Sequence, residues 1–144
     1  MQKRTFPAEL ESLAPIRDFV RAQAAPVLDT PAVYKLVLAV DELSTNVVIH
    51  GYGKRGIAGH LDVAVSIQDG FVSVTLEDQA PPFDASVAAL PTPEMLSAPL
   101  EDRHPGGLGL MLIRDGVDIF HYERAGDRNR NTLIKHLADC RRPE

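Results

Sequence analysis

The sequence has one cysteine, no long apolar run and fewer basic than acidic residues. Because Cys140 has no second cysteine to pair with, we expect neither an internal disulfide nor a metal cluster of several thiolates. No segment approaches the roughly 18 apolar residues of a transmembrane helix, and no charged-then-apolar leader is present. The net charge of −5 argues against a nucleic-acid partner, because phosphate backbones select clustered Lys and Arg. These absences predict a cytoplasmic protein that binds neither membrane nor nucleic acid.

The length and composition of the chain suit one globular domain with its own core. The chain has 144 residues, of which 44% are apolar and 24% charged. These values are ordinary for a single soluble domain, so we expect one domain over residues 1–144.

The segment AVDELSTNVVIHGYG, residues 39–53, repeats a polar residue at every fourth position. Glu42, Asn46 and His50 fall within a sector of about 80° on an α-helix, beside the apolar stripe. That stripe, which predicts the buried face, consists of Val33, Leu36, Val40, Leu43 and Val47. A polar row in this position can line a cleft or make ordinary surface hydrogen bonds, and the segment alone leaves both open.

Local signals predict the first elements. A short edge strand is expected at residues 4–6 and a helix at residues 9–24, with Pro15 near its start. The helix that carries the polar row is expected to begin at Asp29 or Thr30 as cap, with Pro31 in its first turn, and to stop at Gly51.

The apolar period then changes to two, which predicts a β-hairpin over residues 60–78. Asp69-Gly70 is a strong hairpin signal for a turn in which both central residues have positive φ. A two-residue loop pairs Gln68 with Phe71, which aligns every following apolar residue on one face. Asp78 has the parity of that apolar face, so its carboxylate either lines a cleft or caps a turn where the strand has already ended.

A proline-rich segment at about residues 80–106 predicts a lid, because such a long loop in a compact domain is usually functional or disordered. It leads into GGLGL, whose glycines at the start of a helix suit either a phosphate site or a flexible hinge. Two strands, DIFHYER and NTLIKHL, follow around a polar turn, AGDRNR. This order predicts an α+β fold: a two-layer α/β sandwich of a mostly antiparallel sheet with helices on one face.

The combination of Glu42-x-x-x-Asn46, Asp78 after a hairpin, a lid and GGLGL resembles the ATP-binding GHKL (histidine-kinase-like ATPase) superfamily. The small size, the PPFD segment and the GGLGLMLI box are most similar to the anti-sigma-factor serine/threonine kinases. The resemblance covers roughly residues 5–138 and implies a Bergerat-type ATP-binding fold.

The resemblance also implies roles for individual residues. Asn46 would bind a Mg²⁺ that bridges the nucleotide phosphates, and Glu42 would be the general base for the attacking hydroxyl. Asp78 would accept a hydrogen bond from the adenine amino group, with Thr132 supporting the adenine side. Further nucleotide contacts are expected from the turn after Asp78, the lid and the glycine box: Ala80, Phe83, Arg103, Gly106, Gly107, Leu108 and Gly109.

The roles of three polar residues, His50, Arg103 and His104, each have two interpretations. His50 either contacts the nucleotide or hydrogen-bonds the last carbonyls of its helix. Arg103 and His104 either reach a γ-phosphate from the lid or are solvated loop charges.

The implied function is an ATP- and Mg²⁺-dependent serine/threonine kinase that phosphorylates an anti-sigma-factor antagonist. By the same resemblance the chain would form a homodimer and bind that antagonist, a sigma factor, or both. One position departs from the family pattern: Ala80 stands where glycine is usual, which could narrow the adenine pocket or strain the turn. The alternative is therefore a catalytically weak or inactive module of the same fold that regulates by protein binding alone.

Overall fold

The chain folds into an antiparallel sheet with helices packed on one of its faces. The computed structural model describes residues 1–82 and 105–137, with the backbone alone at residues 105–110. Its helices and longer strands are β1 (Gln2–Pro7), α1 (Leu13–Ala24), α2 (Thr30–Asn46), β2 (His60–Gln68), β3 (Phe71–Asp78), α3 (Pro105–Gly116), β4 (Ile119–Ala125) and β5 (Arg128–His136). The strand order is β1-β2-β3-β5-β4, with every neighbouring pair antiparallel. The predicted α+β sandwich is confirmed.

The hairpin of β2 and β3 has the predicted register. Gln68 pairs with Phe71, and the apolar partners that follow lie on the helix-covered face. Those inward residues are almost completely buried: Leu61, Val63, Val65, Val72, Val74 and Leu76. Only Gly70 has a positive φ, of 95°, so the predicted turn with two positive φ values is wrong although the pairing is right. The same alternation carries Asp78 inward, where it is 2% exposed.

The first helix starts later than predicted. A 3₁₀ turn, Leu10–Ser12, precedes α1, and the Ser12 hydroxyl donates to the carbonyl of Pro7 at 2.6 Å. Pro15 thus lies in the first turn of α1, where its missing N–H costs no intrahelical hydrogen bond. An α-helix from residue 9 would have placed Pro15 in the helix interior, which explains the correction.

The second helix begins as predicted but does not stop at Gly51. The Asp29 side chain caps it by accepting a hydrogen bond from the N–H of Ala32 at 2.9 Å. After α2 the chain continues as a π-helical segment, Val47–Tyr52, and a 3₁₀ turn, Gly53–Arg55. The helical stretch ends at Gly56, whose φ of 66° is left-handed. Gly51 is needed for a different reason, a close contact that is described below.

The last hairpin is tighter than predicted. β4 and β5 are joined by Gly126 and Asp127 alone, and Gly126 has a φ of 63°. β5 therefore starts at Arg128, so much of the segment predicted as a turn is strand. Arg128 lies on the outer face and bridges Asp62 and Glu77, whereas Asn129 faces the helices and is 3% exposed.

α3 packs along α2, and the two helices approach each other closely at Gly116, the last residue of α3. A Cβ added to Gly116 would lie 2.6 Å from the carbonyl oxygen of Lys35 and 3.2 Å from the Cβ of Ala39. α3 therefore packs directly on α2, the helix that carries Asn46.

Replacing Gly116 by alanine is expected to lower the free energy of unfolding by about 1–3 kcal/mol, because the new methyl group overlaps the backbone of α2. Chemical denaturation of the two proteins measures the difference. Helix propensity alone predicts the opposite sign, a gain of up to about 1 kcal/mol. A more stable G116A protein would show that the two helices are not held this closely.

Candidate functional site

A small pocket lies between the end of α2, the end of β3 and the start of β5. Its apolar walls come from Leu43, Val47, Gly51, Ala80 and Pro81. Its polar groups come from all three elements: Asn46, Asp78, Asn129 and Asn131. An apolar cleft with a few converging polar groups is the usual form of a small-molecule site.

Asp78 is held in place by hydrogen bonds on one of its carboxylate oxygens. Oδ1 accepts from Nδ2 of Asn129 at 2.8 Å and from the N–H of Ala80 at 3.0 Å. Burial raises the pKa of the Asp78 carboxyl, and these two hydrogen bonds offset part of the increase. Oδ2 has no hydrogen bond to the described part of the chain, so it is the oxygen available to a ligand.

Asn129 orients Asp78 and is itself oriented from β4. Its Oδ1 accepts from the hydroxyl of Tyr122 at 2.6 Å and from Arg124 at 3.2 Å. Arg124 also donates to the carbonyl of Ala80 at 2.9 Å. These contacts place the amide nitrogen of Asn129 against Asp78 and tie β4, β5 and the turn after β3 together.

The structure contradicts the predicted position of Thr132. It pairs with Thr75 in β3 and His121 in β4, and β5 alternates so that Thr132 faces away from the helices. The inward positions of this part of β5 belong to Asn129 and Asn131, each 3% exposed. We missed Asn129 because it falls in the segment predicted as a polar turn, and Asn131 because it is only the first residue of the predicted strand. The strict alternation of Arg-Asn-Arg-Asn is also the period of a strand.

Ala80 fits the pocket without backbone strain. Among the described residues no non-glycine residue has a positive φ, so the turn after Asp78 does not need a glycine at position 80. Ala80 is 1% exposed, and its Cβ would lie 3.2 Å from a Cβ added at Gly51. The absence of a side chain at Gly51 therefore makes room for the methyl group that departs from the family pattern.

Tyr52 joins the end of the helical segment to both strands of the central hairpin. Its hydroxyl donates to the carbonyl of His60 at 3.1 Å and accepts from the N–H of Gln79 at 2.8 Å. The ring is 2% exposed and covers Gly59, where an added Cβ would lie 2.4 Å from it. Tyr52 thereby sets the distance between the helix that carries Asn46 and the strand end that carries Asp78.

Replacing Tyr52 by phenylalanine is expected to lower the free energy of unfolding by about 1–2 kcal/mol, because two buried hydrogen bonds are lost. Ligand affinity should fall by a few fold as the turn at Gln79 loosens. Tyr34→Phe is the matched control, since Tyr34 is 67% exposed and should change stability by less than about 0.5 kcal/mol. Equal effects of the two substitutions would contradict this anchoring role.

The polar row of the helix takes the predicted intermediate position. Glu42, Asn46 and His50 are all half-buried, and the five stripe residues beside them are buried. Asn46 lines the pocket, and its side chain has no hydrogen bond to the described part of the chain. His50 does not line this pocket, and its role stays a prediction.

Glu42 lies one helical turn before Asn46 on the same side of α2. Burial and the neighbouring charge of Asp41 both raise the pKa of the Glu42 carboxyl. Asp41 itself pairs with Arg17 of α1 at 2.8 Å. A half-buried carboxylate with a raised pKa suits a group that takes up a proton during a reaction.

The glycine box lies at the predicted helix start. Gly106, Gly107, Leu108 and Gly109 belong to the first turns of α3, a helix that packs on α2. Their phosphate role stays a prediction. Phe83, Arg103 and His104, with nearly all of the predicted lid, lie outside the described residues.

No helix in the described part of the chain is long and apolar enough to cross a membrane.

The fold and pocket define a class of protein. The model for the histidine kinase-like ATPase domain matches residues 6–135, and the chain belongs to that family. The predicted superfamily is therefore confirmed.

Individual proteins narrow the comparison. The chain is 31% identical over 106 residues to the serine/threonine-protein kinase BtrW of Bordetella bronchiseptica, an alignment that covers 73% of this chain and 71% of that protein. It is 27% identical over 122 residues to the anti-sigma F factor of Bacillus licheniformis, covering 81% and 77%. The predicted resemblance to anti-sigma-factor kinases is thus confirmed.

Solved structures support the fold. The crystal structure of the RsbU and RsbW domains of a Mycobacterium tuberculosis protein matches with a TM-score of 0.63 at 18% identity, covering 95% of this chain and 33% of that one. The histidine kinase domain of a blue-light-activated kinase from Erythrobacter litoralis matches with a TM-score of 0.52 at 18% identity, covering 90% and 61%.

Proposed function

We propose that this protein is a cytoplasmic ATP-dependent serine/threonine kinase of the anti-sigma type, which phosphorylates a small antagonist protein. The observation that carries the proposal is the buried carboxylate of Asp78, which leaves one oxygen available in a pocket whose opposite wall holds Asn46. The relatives named as a serine/threonine kinase and an anti-sigma factor support this class of activity. The partners that the family resemblance implies are an antagonist, a sigma factor and a second copy of this chain.

Each site residue has a role in this proposal. Asp78 accepts a hydrogen bond from the adenine amino group, and Ala80 and Pro81 contact the base. The backbone at Gly106, Gly107 and Gly109 binds phosphate oxygens at the start of α3, where the helix dipole favours negative charge.

Asn46 fits a magnesium site. Its side chain lines the pocket without a hydrogen bond to the described part of the chain, so its amide oxygen is available to a ligand. Mg²⁺ takes few protein oxygens when phosphates supply others, so one amide is sufficient. When bound, Mg²⁺ would neutralise phosphate charge during transfer.

Glu42 accepts the proton of the attacking hydroxyl. As that proton leaves, the hydroxyl oxygen bonds to the γ-phosphorus, and the bond from the γ-phosphorus to the β–γ bridging oxygen breaks. The products are a phosphorylated antagonist and ADP. Positioning and charge stabilisation supply most of the catalysis in such transfers.

The proposal is tested by incubating the purified protein with Mg²⁺, γ-labelled ATP and soluble extract of the source organism. We expect a small protein to acquire label on serine or threonine with the wild-type chain and not with Glu42→Gln. Nucleotide binding without labelling of any protein would favour the alternative, a module that regulates through binding alone.

A further inference from the structure

A second pocket lies where the start of α2 meets the end of β5, and no step of the proposed reaction uses it. Its volume is about 310 Å³, which is within the usual range for small-molecule sites. Its positive charge comes from two lysines, Lys35 of α2 and Lys135 of β5. Most of the remaining lining is apolar: Val27, Leu28, Pro31 and Ala32. We call this site the basic pocket.

Lys135 is a buried cation in the basic pocket. β5 alternates so that Lys135 faces the helices, and it pairs with Val72 of β3. It is 6% exposed, and its side chain forms no hydrogen bond or ion pair with the residues that the structure describes. Burying a charge is costly unless it is paired and hydrogen-bonded. An ammonium group offers three donors and no acceptor, so the group that would pair with Lys135 is an anion.

The charges around Lys135 leave the basic pocket positive. Lys35 is exposed and forms no ion pair with the described part of the chain. Asp29 is the one carboxylate among the described lining residues. Its Oδ1 already accepts a hydrogen bond from the N–H of Ala32 at 2.9 Å, and it forms no ion pair with either lysine. Both lysines are therefore available to an external anion.

A phosphate monoester fits this combination better than a carboxylate does. At pH 7 its phosphate group carries a charge of about −1.5 to −2 and three strong acceptor oxygens, so both lysines can bind it at once. A carboxylate carries a single charge. The apolar residues beside the lysines can contact the carbon group of the ester, which a free phosphate ion lacks.

The basic pocket is separate from the pocket that contains Asp78. Lys35 and Asn46 are eleven residues apart in α2, which is about 16 Å along the helix axis. Lys135 lies four residues beyond Asn131 in β5, which is about 13 Å along the strand. A small phosphate ester in the basic pocket would thus contact neither Asn46 nor Asn131.

We propose that the basic pocket is an anion-binding site that takes a phosphate monoester, with Lys135 and Lys35 donating hydrogen bonds to the phosphate oxygens. The inference goes beyond the proposed function and does not depend on it, because the site stands apart from the residues assigned to phosphotransfer.

The test is a titration of the isotope-labelled protein with phenyl phosphate, followed by NMR at constant ionic strength. The amide signals of Leu28, Lys35 and His136, which line the basic pocket, should move together and saturate with a dissociation constant of the order of millimolar. Lys135→Met keeps an unbranched apolar stem and removes the charge, so it should weaken binding by about 10- to 100-fold. Its melting temperature without ligand should stay the same or rise, because an unpaired buried charge is removed.

Lys54→Met is the matched control. Lys54 is exposed in the 3₁₀ turn beyond the other end of α2, so this substitution removes the same charge and should leave the affinity unchanged. Inorganic phosphate and sodium acetate, titrated in the same way, separate the classes of anion. We expect inorganic phosphate to bind several fold more weakly than phenyl phosphate, and acetate to bind at least about tenfold more weakly.

Several results would overturn the inference. Signals of the basic pocket that change no more with phenyl phosphate than with sodium chloride would remove the site, and equal affinity of Lys135→Met and wild type would remove Lys135 from it. Acetate binding as tight as that of phenyl phosphate would overturn the assignment to phosphate. Lys135→Gln is the second variant, and failure of both variants to fold would make Lys135 a structural residue. A protein that shows these changes but binds no nucleotide would overturn the proposed function and keep this site.

Discussion

Replacing Asp78 by asparagine is expected to weaken adenine-nucleotide binding by about 100-fold or more while leaving the nucleotide-free protein at least as stable. The asparagine oxygen can keep the hydrogen bonds from Asn129 and Ala80. Its NH₂ group then stands where Oδ2 stood, so a donor faces the adenine amine. A charge-assisted hydrogen bond of about 1.5–3 kcal/mol is lost and a donor–donor contact is added.

The stability change has a definite dependence on pH. Because burial raises the pKa of Asp78 in the folded state, ionised Asp78 destabilises the fold at neutral pH. The contribution of the Asp78 carboxyl to the free energy of unfolding is most favourable below its unfolded-state pKa, where the group is protonated in both states. That contribution is lost as the pH rises through the folded-state pKa. The advantage of Asp78→Asn should therefore be largest at neutral pH and shrink as the pH falls through that window. Thermal unfolding over a pH series measures it.

Asp69→Asn is the control for Asp78→Asn. It removes the same charge from the exposed turn at the other end of the same hairpin. It should change neither nucleotide affinity nor the pH dependence. An Asp78→Asn protein that binds ADP as tightly as the wild type would remove Asp78 from the site.

Replacing Glu42 by glutamine is expected to lower the rate of phosphotransfer by about 10²–10⁴-fold, the usual contribution of a general base. Nucleotide affinity and complexes with partner proteins should not change. Single-turnover label transfer, alongside calorimetric ADP binding, measures both quantities. Equal phosphotransfer by Glu42→Gln and wild type would show that Glu42 is not the base.

Asp41→Asn provides the comparison for Glu42→Gln on the same helix. The charge of Asp41 is one cause of the raised pKa of Glu42, so its removal should lower that pKa. The acid limb of the pH–rate profile should then move to lower pH, with the rate at neutral pH retained. A profile that does not move would contradict proton transfer through Glu42.

Local sequence signals were sufficient where turn chemistry and hydrophobic period agreed. The Asp69-Gly70 turn and the apolar alternation together set the β2–β3 register, and that register alone predicts that Asp78 points inward. The polar row at Glu42 and Asn46 followed from helical spacing in the same way.

The remaining parts of the site depend on contacts between distant segments. Leu133 and Ile134 are both apolar, so alternation within β5 does not tell which one faces the core. The adenine role that the resemblance implied for Thr132 therefore fell on a residue of the outer face. The π-helical segment follows no local signal, since it ends where Tyr52 is anchored to His60 and Gln79. Whether Ala80 fits depended on the absence of a side chain at Gly51, 29 positions earlier in the chain.

The most direct measurement is a calorimetric titration of the wild-type protein with ATP and ADP, each with and without Mg²⁺. We expect a dissociation constant of the order of micromolar for at least one nucleotide, about −8 kcal/mol, and tighter ATP binding with Mg²⁺. Absence of binding up to millimolar nucleotide would contradict the proposed kinase and leave a protein-binding domain that keeps only the shape of the site.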